Sequence, residues 1–148
     1  MSFKQTLEEA RRDQVFASLI REVPYASYLG INMLLKDGCL QFELPYAEKL
    51  VGNYLLPAVH GGVVAGFMEN SAMLHILFNL DQNRLPKTIN FSIDYLRPAG
   101  PQTTWCRCEV NRKGRRVANV QTYCWQDDEA RPVAIGRVHI LLEDLQDT

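Results

Sequence analysis

The sequence predicts an α+β domain in which an antiparallel sheet of about six strands curls around one central helix. An apolar segment from about Gly61 to Phe78 carries large residues over most of its helical circumference, so we expect it to be buried nearly all round. A two-strand hairpin precedes this helix and four strand-like runs follow it. Short connections make antiparallel neighbours, and a sheet that wraps the helix satisfies this pattern.

The first part of the chain predicts a helix and then the hairpin. Residues 4–21 are rich in charge and have apolar side chains at roughly helical spacing, which indicates a surface helix that Pro24 ends. These apolar residues are Leu7, Val15, Phe16, Leu19 and Ile20. We therefore expect an N-terminal helical segment over residues 1–23. Asp37-Gly38 is a strong two-residue hairpin signal between strands over 31–36 and 39–44. A loop from about Pro45 to Val59 then leads to the central helix.

The second half of the chain predicts four strands. The run Thr88–Leu96 alternates between apolar and polar residues, so one of its faces is expected to be buried. The apolar face consists of Ile89, Phe91, Ile93 and Tyr95, and the other of Thr88, Asn90, Ser92 and Asp94. The remaining strands are predicted over Thr103–Val110, Arg116–Trp125 and Val133–Leu142. No repeat, low-complexity tract or linker interrupts the chain, so residues 1–148 are expected to form a single domain.

Composition excludes several classes of protein. A formal net charge of −1 provides no basic surface for nucleic acid, and the longest apolar run is interrupted by Glu69, Asn70 and His75 before it reaches the length of a membrane span. The N-terminus has acidic residues where a signal peptide would be apolar. We therefore expect a cytoplasmic protein that binds neither nucleic acid nor membrane.

The four cysteines do not form a metal-binding pattern. Cys39, Cys106, Cys108 and Cys124 include no Cys-x-x-Cys pair and no nearby histidine at zinc-finger spacing. Cys106 and Cys108 lie two residues apart in a predicted strand and therefore share one face, where they are expected to be buried thiols. We expect no metal.

The segment around the start of the central helix carries the polar groups that suggest chemistry. His60 precedes Gly61 and Gly62, whose bare amides at a helix start favour developing negative charge. Glu69 is a lone carboxylate on an otherwise apolar helix, which needs either a partner or a function. The alternative is a loop Gly-Gly with an exposed glutamate. No Gly-x-Ser-x-Gly elbow, phosphate loop or dinucleotide fingerprint is present, and Ser71 has no elbow context.

The spacing of these groups predicts two copies of the chain. On one helix, Gly61 and Glu69 are separated by about 12 Å along the axis and about 80° around it, which one water and one carbonyl carbon do not easily bridge. Two antiparallel central helices packed side by side would bring Glu69 of one chain to the Gly61 amide of the other. We therefore hypothesise a two-fold homodimer with two composite sites.

These residues also resemble a known family. The stretch from Gly52 to Gly62, the acid Glu69, and Asp94-Tyr-Leu-Arg-Pro-Ala99 are together similar to the hotdog-fold thioesterase superfamily. The nearest groups are the phenylacetate-pathway (PaaI-like) thioesterases and the Arthrobacter-type 4-hydroxybenzoyl-CoA thioesterases. The resemblance covers about residues 24–142 and implies a hotdog fold, an antiparallel sheet wrapped around a central helix.

The resemblance implies a role for each matching residue. The acid at Glu69 is the general base or nucleophile on the thioester carbonyl, which the amide at Gly61 polarises. Asn53 positions the water or the carbonyl, His60 orients the loop, and Thr88 helps to hold the water. PaaI-like enzymes more often have aspartate at the acid position, whereas the Arthrobacter type has glutamate.

Each role has a structural alternative. His60 caps the helix or bonds a loop carbonyl in one interpretation and takes part in chemistry in the other, and Asn53 after Gly52 is equally typical of a turn. A basic turn and Arg97 are candidates for contacts with CoA, together with Gly62, but a solvated hairpin tip and a structural arginine explain them as well. The basic turn consists of Arg112, Lys113, Arg115 and Arg116.

The predicted function is hydrolysis of an acyl-CoA to a free acid and CoA, without a metal or redox cofactor, by a homodimer that assembles into a homotetramer. Two other functions stay open: an acyl-thioester dehydratase or hydratase, and a non-catalytic acyl-CoA-binding hotdog protein. The identity of the acyl group lies beyond the sequence.

Overall fold

The computed structural model describes residues 1–80 and 82–142, which contain four α-helices, eight strands and one short 3-10 helix. The α-helices are α1 (Phe3–Asp13), α2 (Ala17–Arg21), α3 (Pro24–Leu29) and α4 (Gly61–Asn79). The strands are β1 (Asn32–Lys36), β2 (Cys39–Leu44), β3 (Val51–Asn53), β4 (Ala58–Val59), β5 (Lys87–Tyr95), β6 (Thr104–Lys113), β7 (Val117–Trp125) and β8 (Ala134–Leu141). The 3-10 helix spans Glu48–Leu50.

Six strands form one sheet in the order β1-β2-β6-β7-β8-β5, and every neighbouring pair is antiparallel. The predicted α+β class is confirmed. The hairpin between β1 and β2 turns at Asp37 and Gly38, which have φ angles of 53° and 79°. Two consecutive left-handed residues match the twist of a tight hairpin, and Asp-Gly tolerates that conformation well.

Helix α4 lies against the inner face of the sheet. Phe67, Met68 and Leu74 are fully buried on it, as predicted for a helix covered on most sides. Gly136 on β8 makes this close approach possible, because an added Cβ there would lie 2.9 Å from the ring of Phe91 and 3.1 Å from Cε of Met68. The sheet therefore holds the first half of α4 at a fixed distance.

The N-terminal segment differs from its prediction. A single helix over 4–21 is wrong, because α1 ends at Gln14, which has a φ of 56°. The helical periodicity restarts after that residue, and Val15 is consequently 61% exposed. Pro24 does not end a helix but begins α3, where its missing N–H and its fixed φ are tolerated.

The segment predicted as a loop over 45–59 contains the 3-10 helix and a two-stranded sheet. Val51 pairs with Val59 and Asn53 with Ala58, and the register shifts at Gly52. An added Cβ at Gly52 would lie 2.9 Å from Cα of His60, so the two backbones meet there. Strands this short show no readable alternation, which is why the sequence pattern missed them.

Strand β5 contains a bulge that overturns the predicted position of Thr88. The register shifts between Thr88 and Asn90, so Thr88 pairs with Ile140 and Asn90 with His139. Directly opposite residues share a face, and Ile140 is fully buried. Thr88 therefore faces the core side, not the side of Asn90, and the extra residue Ile89 is 56% exposed.

The cysteines are free thiols. Cys106 and Cys108 are buried as predicted, Cys124 is also buried, and Cys39 is exposed. Burial raises the pKa of the Cys108 and Cys124 thiols well above the usual range, which keeps them protonated and unreactive. Within residues 1–80 and 82–142, no three His, Cys, Asp or Glu side chains cluster closely enough to hold a metal ion. No helix of those residues has the length and apolarity to cross a bilayer.

Candidate active site

The start of α4 presents one backbone amide without an acceptor. His60 is the N-cap, and its Nδ1 accepts a hydrogen bond of 2.9 Å from the Gly62 N–H. The His60 carbonyl accepts from the N–H groups of Val63 and Val64. Among the described residues nothing accepts the Gly61 N–H. A 19-residue helix thus directs one free donor, reinforced by the helix dipole, toward its N-terminal end.

Tyr95 fixes this helix start to the end of β5. Its hydroxyl donates a hydrogen bond of 2.7 Å to the Gly61 carbonyl, and its ring atoms lie 3.4 Å from the position of an added Cβ at Gly61. Gly61 and Tyr95 line a mostly apolar depression of about 370 Å³, which Arg97 also lines. The Arg97 guanidinium donates to the Pro132 carbonyl, so this side chain has a structural role in the chain as it stands.

Glu69 lies two turns further along α4 and is half-buried. Across residues 1–80 and 82–142, its carboxylate has no ion pair and no hydrogen bond. Gly62, Gly66, Glu69 and Met73 share one face of the helix at 100° per residue, and none of the four is fully buried. A half-buried carboxylate without a partner on such a partly open helix face is available to a ligand.

The structure does not bring Gly61 and Glu69 together within one chain. Because α4 runs without interruption from Gly61 to Asn79, the helix geometry keeps the two residues about 12 Å apart along its axis. An amide and a carboxylate at that separation do not contact the same carbonyl group.

Asn53 forms a turn, the alternative that its position after Gly52 had left open. Its Oδ1 accepts a hydrogen bond of 2.9 Å from the Leu55 N–H, as in an Asx-turn. The side chain is exposed, and its register partner Ala58 lines the depression beside Gly61. Asn53 therefore lies on the border of the candidate site with its amide NH₂ still available.

Thr88 lies at the end of β5 opposite to Tyr95. The two residues are seven positions apart, which corresponds to about 23 Å of extended strand. The Thr88 hydroxyl oxygen is buried and has no partner among the described residues. Thr88 is therefore distant from Gly61 of its own chain.

The basic turn is only partly assembled as predicted. Arg112, Arg115 and Arg116 line a depression of about 500 Å³, but Lys113 does not. Asn119 and His139, which are direct cross-strand partners, complete it. Val117, which also lines the depression, pairs with Leu141, and Leu141 pairs on its other side with Lys87, next to Thr88. The depression therefore lies at the Thr88 end of the sheet, far from Gly61.

Sequence reasoning missed two tyrosines at this site. Tyr95 was predicted as an apolar-face residue of a strand and as part of the resemblance, but not as a partner of Gly61, because their bond joins residues 34 positions apart. Tyr25 lay in a segment predicted to follow the end of a helix, yet α3 places it against α4 at Gly66. Ser71 was correctly set aside, because it is fully buried and its hydroxyl donates to the Phe67 carbonyl.

Comparisons with known proteins agree with this architecture. A protein from Chromobacterium violaceum is 40% identical, with a TM-score of 0.78 over 95% of this chain and 98% of its own. A phenylacetic acid degradation-related protein from Ralstonia eutropha is 22% identical, with a TM-score of 0.74 over 93% and 99%. A Bacillus halodurans protein solved with CoA is 19% identical, with a TM-score of 0.73 over 94% and 92%. The last two similarities show the fold alone.

Among proteins with curated descriptions, none matches this chain. The model of the thioesterase superfamily matches residues 56–137. This match spans more than half of the 148 residues and includes Gly61, Glu69, Thr88 and Tyr95. The chain therefore belongs to the thioesterase superfamily.

Proposed function

We propose that the protein is an acyl-CoA thioesterase that hydrolyses an acyl thioester to a free acid and CoA. The observation that carries the proposal is the pairing, on one helix, of a free Gly61 amide and an unpartnered, half-buried Glu69 carboxylate. An amide donor at a helix start stabilises the oxyanion of a tetrahedral intermediate, and a carboxylate activates water or attacks the carbonyl itself.

The reaction needs no other reagent than water. With Glu69 as a general base, its carboxylate takes a proton from water while the oxygen of that water bonds to the thioester carbon. The Gly61 N–H donates to the resulting oxyanion. The C–S bond then breaks, and the proton on Glu69 passes to the departing sulfur. With Glu69 as a nucleophile, its carboxylate oxygen bonds to the thioester carbon, the C–S bond breaks and CoA leaves as a thiolate, which gives a mixed anhydride. Water then cleaves this anhydride to the free acid and the Glu69 carboxylate, and the proton released in this step goes to the thiolate.

We propose further that the active unit is a homodimer joined through β5. This strand is one of the two edges of the six-stranded sheet, and within the described residues it pairs with β8 alone. It exposes Ile89 and Tyr95, and such an apolar, unpaired edge is a template for a second strand. Antiparallel pairing of two β5 strands about a two-fold axis would continue the sheet and lay the two α4 helices side by side.

Such a dimer would collect the dispersed residues into two composite sites. In an antiparallel pair, the Thr88 end of one β5 lies beside the Tyr95 end of the other. Thr88 and the basic depression of one copy would therefore approach Gly61 of the second copy, as Glu69 would. The arginines of that depression suit the phosphates of CoA, the ligand present in the Bacillus halodurans structure. Two such dimers would form the homotetramer.

A thiol-release assay on short, medium, long and aromatic acyl-CoAs tests the reaction. We expect wild-type protein to release thiol and the Glu69→Gln variant to lose at least about two orders of magnitude in kcat, the scale of a lost general base. Asn70→Asp, which places a carboxylate one residue away, should not restore the activity of Glu69→Gln. Near wild-type turnover in Glu69→Gln would refute the assignment, and a change in enoyl absorbance without thiol would indicate a hydratase.

Mixing two inactive variants tests the composite site. In a heterodimer of Glu69→Gln with Gly61→Pro, one site has both wild-type groups and the other has neither. Random exchange of equal amounts should therefore restore about a quarter of wild-type activity, since half of the dimers are mixed and one of their two sites is intact. If each chain held its own complete site, the mixture would stay inactive.

A further inference from the structure

Tyr25 lies directly against α4 at Gly66. An added Cβ on Gly66 would lie 2.9 Å from Cε1, 3.2 Å from the hydroxyl oxygen and 3.4 Å from Cζ of Tyr25. The phenol end of the ring thus occupies the space that any other residue at position 66 would fill. Because Gly66 has no side chain, Tyr25 of α3 can approach α4 this closely.

The contact places the Tyr25 hydroxyl beside Glu69. Glu69 lies three residues after Gly66, and a long side chain on a helix reaches back over the residues three and four positions before it. The glutamate carboxylate and the phenol oxygen therefore share the surface above Gly66. Within the described residues, no hydrogen bond joins the two groups. Two polar groups that share one surface without bonding to each other can both contact one bound molecule.

Other contacts hold the Tyr25 ring in this position. It stacks on Tyr28 with centroids 6.4 Å apart and an interplanar angle of 14°. The Lys49 ammonium lies 4.2 Å from the centroid of the Tyr28 ring and donates to the Tyr28 carbonyl. The Tyr25 side chain is nevertheless 48% exposed, and within the described part of the chain its hydroxyl has no hydrogen-bond partner. The contacts therefore hold the Tyr25 ring in place while its hydroxyl group stays accessible.

We propose that Tyr25 is a positioning residue of the thioesterase site, whose hydroxyl hydrogen-bonds to the water that enters the reaction at Glu69. This inference rests on the proposed function. Water held between the phenol oxygen and the carboxylate has its lone pair directed toward the thioester carbon. The same role applies whether that water attacks the thioester or an anhydride on Glu69. Gly66 is then required because a side chain there would displace the ring.

Tyr25→Phe tests the hydroxyl alone, and Tyr28→Phe is the matched control. Loss of one hydrogen bond made in the transition state should lower kcat of Tyr25→Phe about tenfold with KM within about twofold, while Tyr28→Phe keeps both constants. Tyr25→Phe should also shift the products from acid toward hydroxamate when hydroxylamine is added, because only water loses its positioning group.

A second variant separates position from chemistry. Gly66→Ala keeps the hydroxyl but forces the ring away, so its kcat should fall at least as far as that of Tyr25→Phe. Thermal unfolding and circular dichroism verify that both variants fold. Wild-type kcat and an unchanged acid-to-hydroxamate ratio in folded Tyr25→Phe would overturn this inference and leave the proposed function intact. Absence of thiol release by the wild-type protein would instead remove the proposed function, and this inference with it.

Discussion

The two halves of α4 contribute differently to the protein, because the first half carries the candidate site residues and the second half does not. In the first half, Gly61 and Glu69 present a backbone donor and a carboxylate without partners among the described residues, on a helix face that Tyr25 covers in part at Gly66. In the second half, Leu74, Ile76 and Leu77 are fully buried. Phe67 and Met68 anchor the first half as well, so the two halves differ in the accessible polar groups that the first half adds. Changes at these accessible groups should affect activity with little effect on stability, and changes at the buried side chains of the second half the reverse.

The largest expected effect is on stability in the second half. Leu74→Ala removes a fully buried side chain and should lower the free energy of unfolding by about 2–5 kcal/mol, because a cavity replaces packed atoms. Leu55→Ala, at a side chain that is 97% exposed, is the control and should change it little. Urea unfolding measures both. If Leu74→Ala abolished activity per folded molecule, the division of the helix would be wrong.

In the first half, Gly61→Pro should lower kcat by about 10²–10³-fold, the effect of a lost oxyanion donor. Proline lacks the N–H but fits the first position of a helix, and His60 already has an extended ψ of 135°, so the fold should persist. Gly61→Ala keeps the N–H and meets Tyr95 only at ordinary contact distance, so it serves as the control. Equal activity of the proline and alanine variants would exclude the amide from the reaction.

A smaller effect is expected on the pH dependence of stability, and it arises from His75 in the second half of α4. Burial lowers the pKa of His75, and its Nδ1 is buried with no partner in the described residues. Below about pH 6.5 the unfolded chain therefore binds a proton that the folded chain resists, so stability falls as the pH drops, by up to about 1.4 kcal/mol per pH unit. Above that pH the residue contributes no pH dependence.

The measurement is urea unfolding at pH 7.5, 6.5 and 5.5. His75→Gln should show a shallower loss of stability on the acid side than the wild-type protein. If the free energy of unfolding fell equally with pH in the two proteins, His75 would not be the cause of the loss of stability in acid.

The smallest expected effect is at the N-cap of α4, where the first half begins. His60→Ala removes the acceptor for the Gly62 N–H and should lower the free energy of unfolding by about 1 kcal/mol, the usual contribution of an N-cap. His60→Asn supplies another capping oxygen and should recover most of that loss. Denaturant midpoints distinguish the three proteins, and an unchanged midpoint in His60→Ala would show that the cap contributes nothing.

The sequence predicted the features that depend on local patterns and missed those that depend on contacts between distant residues. The periodicity of α4, the Asp37-Gly38 turn and the alternation along β5 are local patterns, and they were sufficient for the architecture. The left-handed Gln14 and the bulge at Ile89 break local patterns without a characteristic residue type, so the N-terminal helix and the orientation of Thr88 were mispredicted. Contacts of Tyr25 and Tyr95 join distant positions, which no spacing along one chain reveals.

His60, Gly61 and Glu69 were singled out from the residues themselves, whereas the roles of Asn53 and Thr88 came from the resemblance. The structure places Gly61 as a free donor and Glu69 as an unpartnered acid, but it disperses Thr88 and the basic turn to the other end of the sheet. Only assembly with another copy would unite them, and symmetry between copies is not encoded in any single stretch of residues.

The N-cap hydrogen bond of α4 also determines which ring nitrogen of a neutral His60 carries the proton. Because Nδ1 accepts the Gly62 N–H, its lone pair is occupied, and a neutral imidazole must hold its proton on Nε2. His60 then offers its surroundings a hydrogen-bond donor, and no basic nitrogen is left to abstract a proton. In the proposed reaction, proton abstraction is therefore assigned to the Glu69 carboxylate, while the His60 ring holds the backbone at the start of α4.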